Sequence, residues 1–157
     1  WSRWITSSYF SQLSWLRKKS RWGLSFYVWA AHYNLEPIGR FLEFPYEAQS
    51  PISAKFREFK NEADIWKEVE AIAELADTSK TRTIGNLLYD LVPLFASPPY
   101  LIQDWMIDIM NEYHWIKNWN ISPGNLDDVS AFRLDCWTVI ENELNQIQMN
   151  ERNKDGI

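Results

Sequence analysis

The chain has 157 residues, with 16 Lys and Arg against 21 Asp and Glu, a formal charge of −5 and 46% apolar residues. These values fit one folded domain and exclude a disordered, collagen-like or low-complexity protein. A lone cysteine, Cys136, excludes an intrachain disulfide scaffold and a multi-cysteine metal site, and fits an intracellular, reducing compartment.

Charge and aromatic residues are unevenly distributed. Residues 1–35 hold Arg3, Arg17, Lys18, Lys19 and Arg21 and no acid, a charge of +5; the other 122 residues hold 11 bases and 21 acids, a charge of −10. The same 35 residues carry five of the ten tryptophans: Trp1, Trp4, Trp15, Trp22 and Trp29. An Arg- and Ser-containing, acid-free start shares traits with organellar targeting segments. The longest apolar stretch, Trp22 to Leu35, is 14 residues and is interrupted by Gly23, Ser25, His32 and Asn34, too short for a spanning helix.

In chain order, Trp1, Ile5, Tyr9, Leu13 and Leu16 step by four, four, four and three, which predicts a first helix. The basic run Arg17-Lys18-Lys19-Ser20-Arg21 suits the negative end of that helix's dipole, and Trp22 to Tyr33 reads as a second helix. Pro37, Gly39, Pro45 and Pro51 mark a connection over 36–50. Ser50-Pro51 looks like a helix start, and Ile52, Phe56, Phe59, Ala63, Trp66, Val69, Ala73 and Ala76 extend the stripe to about residue 77.

Thr83 is a helix cap for Ile84, Leu87, Leu88 and Leu91, with Pro93 as its break. Ser97-Pro98-Pro99 opens a helix that runs to about Trp119, and Ser122-Pro123-Gly124-Asn125 interrupts the chain. The last helix begins near Asn125, with Asp127 and Asp128 in its first turn and Val129, Phe132, Cys136, Val139, Ile140, Leu144 and Ile147 along its apolar stripe. No strand-like alternation of useful length stands out. The expectation is an all-α, single-domain irregular bundle of about five or six helices joined by Pro-containing loops. It divides into a basic aromatic-rich segment (1–35), a Pro-rich connection (36–50), an acidic helical body (51–150) and a polar tail (151–157).

Two surfaces emerge as candidate contacts. The first is basic and aromatic: Trp15, Arg17, Lys18, Lys19, Arg21 and Trp22. Such a cluster suits an acidic protein groove (this chain's own acidic body included), an anionic membrane surface or, with less support given the −10 body, nucleic acid. It equally describes cations lying over a Trp-rich core. The second is acidic and aromatic: Asp104, Asp108 and Glu112 at i, i+4 and i+8, with Trp115 on the same face, opposite Ile102, Trp105, Met106, Ile109, Tyr113 and Ile116. That pattern suits a Lys- or Arg-bearing partner, or simply a solvated face.

Catalytic signals are missing. His32 and His114 have no nucleophile partner nearby in sequence, and neither phosphate-loop nor dinucleotide-binding glycine motifs occur. No cofactor or metal is expected. The sequence therefore points to a non-enzymatic subunit, adaptor or inhibitor of a larger protein assembly, with a peripheral membrane protein and a nucleic-acid accessory protein as alternatives. Ten indoles exceed what one small core readily buries with every N–H satisfied, so several are expected at the surface.

Overall fold

A computed structural model describes residues 2–35, 42–120 and 129–155, with side chains described from Trp15 onward in the first stretch. Among the described residues there are five α-helices and one two-stranded sheet, so the chain is an all-α helical bundle as its periodicity predicts.

The first departure lies in α1, Ser2–His32, which is one continuous helix where two were expected. The basic run sits in its middle, not at its end. Arg and Lys are good helix formers, and nothing between residues 17 and 22 removes a backbone donor. Gly23 does not break the helix either. A Cβ there would lie 2.6 Å from Met106 Cε and 2.9 Å from the Leu101 carbonyl oxygen, so its absence lets α1 approach the chain just before and within the fourth helix.

The second departure follows Ser50. The expected helix over 51–77 is instead a hairpin, β1 (Tyr46–Gln49) paired antiparallel with β2 (Phe56–Phe59), and then α2 (Glu62–Thr78). The boundary between residues 50 and 51 thus falls inside the hairpin connection. Ser50 caps a turn: its Oγ accepts from the backbone N–H groups of Ile52 at 3.3 Å and Ser53 at 3.2 Å. Ala54, at φ 60°, is left-handed and cannot belong to a helix. The three–four spacing of Ile52, Phe56 and Phe59 was coincidental, since only Phe59 is buried while Phe56 is 74% exposed.

The true start of α2 is Asn61, whose side chain accepts from the N–H of Asp64. Asp64 in turn accepts from the N–H of Lys60 at 2.8 Å, and this bond foremost holds its carboxyl below the ordinary range. Behind it Glu68, buried on α2, takes the Ser50 hydroxyl at 2.8 Å and the Arg57 guanidinium at 2.9 Å, latching the hairpin to the helix.

α3 (Ile84–Leu91) starts at Thr83 as expected and gives way to a 3-10 turn containing Pro93. Ser97-Pro98-Pro99 opens a second 3-10 turn, and α4 (Asp104–Trp119) begins after it. α5 runs Ala131–Asp155, with Ser130 Oγ accepting from the Arg133 N–H at 3.2 Å. The expected start at Asn125, and Asp127 and Asp128 with it, lie outside the described residues. The helix extends further into the polar tail than its composition suggested.

α1 is buried on two sides, which accounts for its density of large apolar residues. Phe26 and Ala30 pack with Phe59, Ile65, Val69, Leu88 and Phe95 in one core cluster. Leu24, Val28 and Trp29 pack with Met106, Ile109, Met110, Cys136 and Ile140 in another. α1 and α5 lie side by side in the same direction, as the successive pairs Arg21–Asp135, Trp29–Glu143 and His32–Glu151 record.

Candidate protein-contact surfaces

The basic aromatic cluster divides over the circumference of α1. Trp15, Lys19 and Trp22, at i, i+4 and i+7, turn toward α2. The two indoles meet edge to face at 5.6 Å, and Lys19 Nζ lies 4.6 Å from the centre of the Trp66 ring. Lys18, Arg21 and Trp22 border a groove whose far wall is Glu70, Glu74 and Asp77. On another side Arg21 donates to Asp135 of α5 at 2.8 Å. Most of the cluster therefore faces the chain's own acidic helices, and Lys18, Lys19 and Arg21 offset part of their negative charge. Leu16, Arg17 and Lys18 remain exposed.

The acidic aromatic face of α4 is disposed differently. Met106, Ile109, Met110 and Tyr113 are buried, and Asp104, Asp108, Asn111 and Trp115 are exposed. Trp115 is 63% exposed. Glu112 leaves this set, because its carboxylate pairs with Arg133 of α5. The face gains a residue in its place: Trp119, one turn beyond Trp115 and 74% exposed. Its i+4 spacing from Trp115 is the sequence signal that places it on this face.

Below this face α4 is fastened to α5. Tyr113 donates its hydroxyl to Glu141, and Lys117 Nζ reaches both Glu141 oxygens at 3.0 and 3.1 Å. The bonds from Tyr113 and Lys117 hold the Glu141 carboxyl low and its carboxylate holds Lys117 high, while burial foremost raises Tyr113. Trp115 and Trp119 thus stand on a helix anchored from behind.

The most elaborate polar centre was not anticipated. Glu143 is buried on α5 and gathers donors from two other elements. Trp29 Nε1–H (2.7 Å) and the Thr83 hydroxyl (2.6 Å) donate to one oxygen, the Gly85 N–H (3.2 Å) to the other, and Ser25 adds a further hydrogen bond. Its carboxylate lies at the N-terminus of α3, where backbone N–H groups and the dipole favour negative charge. Gly85 makes room for it, since a Cβ there would fall 2.4 Å from Glu143 Oε2. The sequence signal was present: Cys136, Ile140 and Ile147 share a helical face, and Glu143 lies on that face among them.

His32 pairs with Glu151 at 3.0 Å, with side chains 38% and 46% exposed, and His114 meets Tyr113 edge-on. This places neither histidine against a carboxylate in a deep pocket. Cys136 is buried on its apolar stripe as read. Among the described residues no three His, Cys, Asp or Glu side chains converge to hold a metal ion, and no helix is long and apolar enough to cross a membrane. Of the tryptophans with described side chains, Trp29 and Trp66 are buried, Trp15, Trp22, Trp105 and Trp137 are half-buried, and Trp115 and Trp119 are exposed. No protein-family model, no curated protein and no solved structure matches the chain.

Proposed function

We propose that this protein is a non-enzymatic interaction subunit that docks a partner on the outer face of α4. The observation that carries the reading is the pair Trp115 and Trp119, 63% and 74% exposed, one helical turn apart. Other large apolar side chains are exposed too, Phe56 and Leu94 among them, but Trp115 and Trp119 are two indoles adjacent on one helix face, and contiguous exposed apolar surface of that kind marks a contact site. Tryptophan is also the residue type most enriched among those that dominate binding energy. Asp104 and Asp108 continue the same exposed face two to three turns toward the start of α4, about 10–16 Å along the axis from Trp115, so the partner chemistry is an apolar slot for the indoles with Lys or Arg further along it. Cation–π contact with the indoles and ion pairs with the carboxylates then act together. The basic aromatic segment has a supporting part: it joins α1 to α2 and α5, and leaves the contact to α4.

The test is affinity capture from the native cell with quantitative mass spectrometry. Wild type is compared with Trp115→Ala/Trp119→Ala and with Arg17→Ala/Lys18→Ala. The expected result is stoichiometric partners lost with the first variant and kept with the second. Circular dichroism and unfolding stability should stay within about 0.5 kcal/mol of wild type, because neither pair is buried. Equal capture by the indole-less variant refutes the reading.

A second reading, attachment to an anionic membrane surface, is favoured by the exposed run Leu16-Arg17-Lys18 on α1. Flotation with phosphatidylserine-containing vesicles that is lost in Arg17→Ala/Lys18→Ala supports it. Absence of flotation removes it.

A further inference from the structure

A recess opens between α1, α4 and α5, away from the Trp115–Trp119 face. Its volume is about 100 Å³. Leu24, Cys136 and Val139 form its floor, and burial foremost, with the neighbouring Asp135, pushes the Cys136 thiol up to about 11. At neutral pH that thiol is an uncharged, apolar part of the surface. One wall is the aromatic pair Trp105–Phe132, with ring centres 5.4 Å apart. Phe132, read from sequence as a core residue, is 50% exposed here.

The rim of the recess is cationic. Arg17 and Arg21, at i and i+4 on α1, both line it. Like charges at that spacing repel. Arg21 is offset by Asp135 at 2.8 Å; Arg17 has no ion pair among the described residues. The opening therefore carries two guanidinium groups against one carboxylate, above a floor that offers only apolar contact.

We propose that this recess binds a small organic anion with an apolar body, a carboxylate carried on a single aromatic ring or a short branched chain. Size sets the body: an apolar cavity of about 150 Å³ accommodates benzene, so this recess, at about two thirds of that and open on one side, takes at most one ring with part of it left at the mouth. Charge sets the head group. A carboxylate at the rim meets the planar donors of Arg17 and the donors of Arg21 not used on Asp135, and relieves the repulsion between them. An apolar pocket with a few convergent polar groups is the usual form of a small-molecule site.

Phenylacetate is a suitable probe, titrated into the full chain while the methyl resonances of Leu24 and Val139 are followed by NMR. Saturable shifts at both methyls are expected with a dissociation constant at or below about 1 mM. Acetate, which lacks the ring, and 2-phenylethanol, which lacks the charge, should each bind at least about fivefold more weakly. Arg17→Ala changes an exposed side chain, leaves folding intact, and should weaken phenylacetate by about the same factor. Val139→Phe fills the recess and should abolish the shift at Leu24. Trp115→Ala should leave binding unchanged, which keeps this test separate from that of the α4 face. The proposal is overturned if no saturable shift develops by about 10 mM phenylacetate. It is overturned equally if the alcohol binds as well as the acid, or if Arg17→Ala has no effect.

Discussion

Replacing Glu143 by Ala removes the one group that accepts from Trp29, Thr83 and Gly85 together. Thr83 is half-buried and can turn its hydroxyl elsewhere, and the Ser25 hydroxyl can turn to a carbonyl of its own helix, which leaves two donors without a partner, the Trp29 indole N–H and the Gly85 N–H. At about 1–3 kcal/mol for each stranded buried donor, the gross cost is about 2–6 kcal/mol. Relief of the carboxylate's own desolvation and entry of water into the vacated space offset part of it, so the net expectation is about 2–4 kcal/mol. That is a large share of the roughly 5–15 kcal/mol that stabilises an ordinary domain. Urea unfolding at pH 7, followed by far-ultraviolet circular dichroism, measures it. With a slope of about 2 kcal/mol per molar, the midpoint should fall by about 1–2 M. Glu141→Ala, on the same helix with a side chain 42% exposed, is the control and should cost about 1 kcal/mol or less. If the two alanine variants unfold at the same urea concentration, the Glu143 centre does not hold the fold together as argued.

The same residue gives the protein a pH signature. Burial is the largest influence on Glu143 and raises it above 4.5, against the opposing pull of its hydrogen bonds to Thr83, Trp29, Gly85 and Ser25. A raised folded pKa means that the native state holds the proton more tightly, so the stability contribution is full below pH 4.5 and is lost as pH rises through the folded value. Wild type should therefore gain stability relative to Glu143→Gln as pH falls from neutrality toward 4.5, measured by urea midpoints; a flat or reversed difference contradicts this. Gly85→Ala drives a Cβ against Glu143 Oε2 at 2.4 Å and the Ser25 carbonyl oxygen at 2.7 Å, and should cost about 1–3 kcal/mol in the same assay. Part of that loss should vanish in the Glu143→Ala background, because one of the two obstructing groups is gone; strict additivity argues against the contact. Arg57→Ala leaves buried Glu68 with the Ser50 hydroxyl alone and should lower stability by about 1–3 kcal/mol, read by thermal unfolding; a neutral outcome means that solvent replaces the guanidinium.

Elements specified by neighbouring residues were legible. Thr83 and Pro93 bracket α3, and the exposed and buried faces of α4 follow from its three–four spacing, because a cap or a stripe is settled within a turn or two of helix. The hairpin was not. Its strands are four residues each, too short for alternation to stand out, and Ile52, Phe56 and Phe59 imitate a helical stripe. Tertiary contacts decided the outcome: Glu68 on the following helix takes both Ser50 and Arg57, and Phe59 enters the core while Phe56 does not.

The candidate surfaces divide along the same line. The sequence alone established the +5 and −10 halves and the concentration of tryptophan, and its helical spacing put Trp115 on one face with Asp104 and Asp108. Whether a charge meets solvent, a partner or its own chain depends on what folding brings beside it. Lys19 lies over Trp66 and Arg21 meets Asp135, 47 and 114 residues away, whereas no described element packs over Trp115 and Trp119. Glu143 is the sharpest case. Its helical phase, on the face of Ile140 and Ile147, is written in the sequence. Its donors lie 58 to 118 residues away, and a buried carboxylate is tolerable only when such donors arrive with it, so only the tertiary structure could turn an acid on an apolar stripe into the junction of three helices.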